Sequence, residues 1–231
     1  MGVGRMAAKG VVPLGKKIAP KVTSGYVREL LERAIDGYGP IKAAAASADA
    51  RLVDAGGDVE DAIETAIGQH VRYAGAQGFV TNLGGGVTVA VSIPANVTGL
   101  ALLQSHMAAM IAHLRGYDLD DARVRNAILA CLLGEDSVDE LIKKKKLPGN
   151  PMAIATSPVH DPELDATMGR LVTSELVSKV TGRRAALVVS RRIPLLGGGV
   201  AAAADGYSTY QIGSYARDQL RDRRRVAGSE T

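Results

Sequence analysis

The sequence predicts an all-α fold, and three observations lead there. Alanine and glycine dominate a chain of 231 residues that has one Phe, seven Tyr and no Trp. Val, Ile and aromatic residues almost never alternate with polar ones, as a half-buried strand requires. Apolar residues recur instead at spacings of three and four, between clusters of Gly and Pro. Small residues let helix backbones approach closely, so a single compact domain of thin, tightly packed helices is expected, with a central pair of long Gly/Ala-rich ones. The expected organisation is a basic arm over 1–22, a helical domain over 23–225 and a tail over 226–231.

The arm, MGVGRMAAKGVVPLGKKIAPKV, nearly matches the phosphate-binding loop G-x-x-x-x-G-K-[ST] from Gly10 to Lys17. Lys17 stands where the magnesium-holding hydroxyl belongs and no strand precedes it, so no nucleotide site is assigned. Ser24 caps a helix running to about Tyr38, with Val27, Leu30, Leu31, Ala34 and Ile35 on one face. Gly39-Pro40 separates it from an alanine-rich helix that ends near Ala55, at Gly56-Gly57. Asp58 caps a third helix to about Tyr73, with Val59, Ala62, Ile63, Ala66 and Ile67 at helical spacing. Gly75, Gly78 and Gly84–Gly86 predict a loop or broken turn over 75–87, because each glycine costs roughly 1 kcal/mol inside a helix.

From near Pro94 a long helix runs to Leu114, with Gly116 as its C-cap. Asp118 or Asp120 caps the next helix, which reaches Gly134 and buries Val124, Ile128, Cys131 and Leu132. Ser137-x-x-Glu140 reads as a capping box. Its helix ends in Lys143–Lys146, cations at the negative end of the dipole, before Pro148-Gly149. Residues 148–160 read as loop. Asp161-Pro162-Glu163 opens a helix to about Val180, closed by Gly182. The apolar run 185–196 follows, then Gly197-Gly198-Gly199 and a last helix to about Arg225.

Phe79–Leu114 carries no Asp, Glu, Lys or Arg, and its titratable groups are His106 and His113. It is long enough to span a bilayer. Pro94, the glycines and Asn82, Asn96, Thr98, Gln104, Ser105 and His106 interrupt it. A buried central hairpin is the expectation, with shallow bilayer insertion and a true span as the alternatives. Thr98, Ala101, Ser105, Ala108 and Ala112 form a small-residue seam, matched by Ala202, Gly206, Thr209, Gly213 and Ala216 in the last helix. The seams predict that these two helices pack on each other. Each follows a Gly-Gly-Gly-Val, which leaves an internal repeat open.

The net charge of +4 is unevenly spread. Arg5, Lys9, Lys16, Lys17, Lys21 and Arg28 occur without an acid among them; Lys143, Lys144, Lys145 and Lys146 are contiguous; Arg217, Arg221 and Arg223–Arg225 crowd the end. Such patches attract lipid or nucleic-acid phosphate, or are simply solvated helix ends. Little aromatic interleaving and no groove-reading motif rank nucleic acid last. Lys16, Lys17 and Lys143–Lys146 are the membrane or phosphate contacts expected. A single cysteine, Cys131, excludes an intrachain disulfide and reads as a small core residue. The N-terminus lacks the continuous apolar stretch of a signal peptide.

His106 and His113 share a helix face, but two turns separate them by roughly 10.5 Å, too far to hold one metal. No HExxH, paired Cys or G-x-S-x-G is present, and no metal or cofactor is expected. His70 and His160 are distant in sequence and join a site only by folding. Asp205 is read as a first-turn carboxylate complementing the dipole, or as a buried acid paired with Arg115, Arg191 or Arg192. If the protein is an enzyme, His106, His113 and Asp205 are its catalytic candidates. Gly84, Gly85, Gly86, Asn96, Gln104, Gly197, Gly198 and Gly199 are the ligand-contact candidates.

Several runs resemble the EcsC family. They are Ile93-Pro94-Ala95-Asn96, Gln104, Ile111-Ala112-His113-Leu114-Arg115-Gly116-Tyr117-Asp118-Leu119, Val124-Arg125 and Leu132-Leu133-Gly134. Arg192-Ile193-Pro194-Leu195-Leu196-Gly197-Gly198-Gly199-Val200, with Asp205 after it, continues the pattern. The resemblance spans about residues 24–220. Asn96 departs from it, standing where the pattern has an acid. The resemblance implies a helical, cytoplasmic, membrane-associated protein whose family is named from a gene neighbour of an ABC transporter. The family's molecular activity is not established.

Three functions follow as expectations. The first is a non-enzymatic accessory protein at the cytoplasmic membrane face, binding anionic lipid or accompanying a transporter. The second is a hydrolase-type enzyme with a pocket between the two long helices. The third is a homo-oligomeric scaffold assembled through the small-residue seams.

Overall fold

The computed structural model describes residues 24–39, 41–83, 95–190 and 197–223. The expected arm over 1–22 and tail over 226–231 lie outside the described residues, as do Lys16, Lys17, Gly84–Gly86, Pro94 and the stretch 191–196. The described residues form α1 (Ser24–Asp36), α2 (Ala44–Asp54), α3 (Val59–Leu83), α4 (Ala95–Leu114) and α5 (Ala122–Leu133). They continue with α6 (Glu135–Lys143), α7 (Pro151–Ala155), α8 (Pro162–Ser190) and α9 (Gly197–Gln219). No strand occurs among them; Tyr38 and Ile41 form one isolated bridge. The protein is all-α, as the composition predicts.

Helix α4 is the centre. Every residue from Gln104 to Ala112 is buried, because α1, α2, α3, α5 and α9 all pack against it. A helix apolar on all sides needs such a surround. Its apolar window Val97–Leu114 is 72% buried against the chain's own helices. The C-cap prediction holds. Gly116 takes φ +82°, Gly116 N–H donates to the His113 carbonyl, and Tyr117 N–H donates to that of Ala112. That pair of bonds is a Schellman closure.

The predicted inner faces are also observed. Val27, Leu30, Leu31, Ala34 and Ile35 of α1 are buried, as are Ala62, Ile63, Ala66 and Ile67 of α3 and Val124, Ile128, Cys131 and Leu132 of α5. Asp58 caps α3, its carboxylate accepting from the N–H groups of Glu60 and Asp61.

Several boundaries differ from expectation, each for a physical reason. Helix α1 ends at Asp36, where Gly37 adopts φ +94°. Helix α3 does not break at 75; it continues through Gly75 and Gly78 to Leu83. Gly75 and Gly206 lie where α3 and α9 run alongside each other. A Cβ on Gly75 would lie 3.6 Å from the Ala202 carbonyl oxygen, and one on Gly206 would lie 3.6 Å from that of Val71. Helix α9 therefore runs antiparallel along α3, which is its closest partner. The seams predict that α4 and α9 pack on each other, and they do, though α9 meets α3 more extensively. Helix α4 meets α9 more narrowly, through Gln104, whose Nε2 donates to Thr209 Oγ1 at 3.2 Å.

Asp121, not Asp118 or Asp120, caps α5 by accepting from Arg123 N–H; Asp118 instead closes the preceding turn onto Asp120 N–H. The Ser137 capping box does not form. Helix α6 begins at Glu135, so Ser137 sits inside it, and Glu140 bonds Lys144 one turn on. Residues 148–160 are not all loop, since Asn150 caps the short α7 and its Oδ1 accepts from Ala153 N–H. Helix α8 passes Gly182 and reaches Ser190. Helix α9 takes in Gly197–Gly199 and ends at Gln219, six residues short of Arg225.

Asp165 joins three elements. Its carboxylate accepts from Arg28 of α1 at 2.8 Å, Asn126 of α5 at 2.7 Å and His160 at 3.0 Å. Burial acts to raise its pKa, but these donors outweigh it and hold the carboxyl below its ordinary value.

Candidate functional site

Two places among the described residues are taken as candidate sites. The first is a buried histidine pair where α2, α3 and α4 meet. His70 on α3 and His106 on α4 are 4% and 5% exposed. His70 Nε2 lies 3.0 Å from His106 Nδ1. At the outer ends, His70 Nδ1 donates to the Ala66 carbonyl at 2.7 Å, and His106 Nε2 donates to the Lys42 carbonyl at 3.0 Å. The pair forms one wall of a cavity of about 410 Å³, whose polar lining comes from Lys42, Ser47, Arg51, Gln69 and Tyr73. Arg51 is held by Asp54 at 2.9 Å, and Gln69 Nε2 donates to Tyr73 Oη at 2.8 Å.

Burial is the chief influence on both rings. It pushes His70 down to about 4, with the neighbouring His106 and Arg51 acting in the same direction, and lowers His106 as well. An unfolded histidine protonates near 6.5. Below that value the unfolded chain binds a proton that folded His70 refuses, so stability is present above pH 6.5 and lost as the pH falls toward 4. The loss from His70 is expected to be about 2 kcal/mol between pH 6.5 and pH 5. Urea unfolding at the two pH values measures it, and His70→Leu should flatten that slope.

The second place is the turn after α6. Lys143, Lys144, Lys145 and Lys146 are all exposed. Lys145 has φ +55°, and the N–H groups of Lys145 and Lys146 donate back to the carbonyls of Ile142 and Leu141. The same closure at α4 uses glycine; here a lysine bears the left-handed backbone, at a cost of about 1 kcal/mol. Lys144 pairs with Glu140. Among the described residues Lys143, Lys145 and Lys146 form no ion pair.

The other sequence candidates are dispersed. His113 Nε2 bonds Asp49 Oδ1 at 2.9 Å, so it serves the α2–α4 contact two turns beyond His106. Asp205 is buried more than two turns into α9, which corrects its first-turn reading, since α9 begins at Gly197. Arg115 is not its partner; both terminal nitrogens of Arg115 grip Glu60. Gln104 binds Ser208 and Thr209 of α9. Gly197, Gly198 and Gly199 form the first turn of α9. Asn96 is the second residue of α4, and its side chain lies outside the described residues, as Gly84–Gly86 do. No cluster of three metal-ligating side chains occurs among the described residues.

His70 is the site residue that sequence reasoning underused. It shares the inward face of α3 with Ala66 and Ile67, but nothing in sequence pairs positions 70 and 106. Comparison of the chain with protein-family models, with curated proteins and with solved structures finds no match in any of the three. The resemblance to the EcsC family rests on the motifs quoted above alone.

Proposed function

We propose that this protein is a non-enzymatic helical accessory protein, of the EcsC type, working at the cytoplasmic face of a membrane. In this reading its Lys143–Lys146 turn binds anionic headgroups, alone or beside a transporter. The observation that carries the reading is the exposure of four contiguous lysines in one fixed turn. Each lysine near an anionic surface contributes about 1 kcal/mol, so three without an internal acid supply about 3 kcal/mol. The hydrolase reading needs His106, His113 and Asp205 in one cavity, and of these only His106 lines the cavity beside His70. The scaffold reading needs free seams, yet Ala101, Ser105, Ala108 and Ala112 are buried within the chain, as are Gly206, Thr209, Gly213 and Ala216.

Flotation of the full chain with vesicles tests the proposal. Binding is expected to phosphatidylcholine vesicles containing phosphatidylserine, and not to phosphatidylcholine alone. Salt should weaken it, because exposed charges are screened beyond about 10 Å at 0.1 M. Replacing Lys143–Lys146 together by Gln should lower partitioning about 100-fold. Absence of binding to both vesicle types, or equal binding by the Gln variant, sinks the idea.

A further inference from the structure

The histidine pair has one proton too few for its contacts. Carbonyl oxygens only accept, so His70 Nδ1 and His106 Nε2 must both carry hydrogen to donate to Ala66 and Lys42. Two neutral imidazoles own two protons, and the outer bonds use both. The inner contact, His70 Nε2 to His106 Nδ1 at 3.0 Å, is then two facing lone pairs unless a third proton lies between them. The ring centroids are 5.3 Å apart, which is the inner nitrogen separation plus two imidazole radii. The rings therefore point at each other along one line. A metal on that line, bonded at about 2 Å to each nitrogen, needs about 4 Å between them. A proton fits the spacing of 3.0 Å.

We propose that His70 and His106 form a proton-binding site that takes one proton, shared between the two rings, and that this proton docks the connection between α1 and α2 onto α4. With the proton in place, all three contacts are made and the Lys42 carbonyl is held against His106. Without it, two protons serve three contacts and one must open. The bond from His70 to Ala66 spans one turn of a single helix and is fully buried, as is the inner contact; the bond to Lys42 is part-buried and joins separate elements. The Lys42 contact is therefore the one that opens, and water replaces it.

The surroundings set where this happens. Arg51 of α2 and Lys42 of the connection face the pair, α3 adds Tyr73 edge-on to His70 at 6.4 Å between centroids, and among the described residues no Asp or Glu lines the cavity. Burial and the Arg51 charge thus place the uptake on the acid side of the ordinary histidine value. Burial, reinforced by the charge of the first proton, holds off a second.

Nitrogen NMR of the histidine rings in the full chain, titrated from pH 7.5 to pH 4.5, tests the site. The expected result is one proton taken up by the pair, with His70 Nε2 and His106 Nδ1 shifting together at a single midpoint below pH 6.5. Both outer N–H groups should be present at the acid end, and the Lys42 and Ala43 amide signals should move with the same midpoint. In His70→Leu the pH response of those amides should be lost; if that variant does not fold, the wild-type titration decides by itself. Two independent titrations near 6.5, a bare His106 Nε2 at the acid end, or amides that ignore the pH would each overturn the proposal.

Discussion

Gly37→Ala is expected to destabilise the fold by about 3 kcal/mol. Two costs combine at this position. The residue has φ +94°, where an L side chain is strained by about 1–2 kcal/mol. An added Cβ would also lie 2.7 Å from the Ile41 carbonyl oxygen, 2.8 Å from Ala43 N and 2.9 Å from Lys42 C. All three are backbone atoms of the connection into α2, pinned by reciprocal N–H to carbonyl bonds between Tyr38 and Ile41. Nothing there can rotate away, so the overpacking cost of about 1–3 kcal/mol is not relieved. Gly56→Ala is the internal comparison. It also has positive φ, +62°, but nothing lies within 4 Å of its added Cβ, so only the strain applies. Urea unfolding should move the midpoint by about 1 M or more for Gly37→Ala and by about half of that for Gly56→Ala. Equal shifts would mean that the contact with the connection contributes nothing.

Ile111→Ala is expected to cost about 3–4 kcal/mol, from lost transfer energy and from the cavity left behind. Ile111 is fully buried on α4, which is in contact with six other helices. A site can recover part of the cost only by collapsing, and α4 cannot move toward one neighbour without leaving another. Against a total stability of about 5–15 kcal/mol this is a large fraction. Val53→Ala, at a position 79% exposed, should change stability by less than about 0.5 kcal/mol. Thermal and urea unfolding of the two variants side by side gives the contrast, and a small effect at Ile111 would show that α4 is not the rigid centre of the core.

The sequence was legible where one helix decides its own state. The inner faces of α1, α3 and α5, the cap at Asp58 and the glycine stop at Gly116 are local chemistry, and they could be read from spacing alone. The glycines at 75 and 182 do not end their helices. Helix propensity charges each glycine a cost, but α3 packs along α9 past Gly75, a tertiary contact that propensity does not contain. The Ser137–Glu140 spacing was right for a capping box, yet Asp136 and Glu135 already occupy the first turn of α6, so the helix starts earlier. The candidate site was half legible. His106 could be named from its place in a charge-free helix, whereas its partner, its carbonyl acceptor on Lys42 and the cavity beside it come from three other segments of chain.

The antiparallel pairing of α3 with α9 has a consequence for how the protein is made. Ile67 and Gly213 lie together from positions separated by more than half of the chain, so their approach closes a long loop. Closing such a loop costs entropy before any packing is gained, which slows folding relative to a bundle of sequence neighbours. On the ribosome α3 emerges early and α9 last, so the face of α3 around Ile67 and Val71 waits uncovered through most of synthesis. A chain truncated before α9 would keep its local helices and leave that face open to other chains.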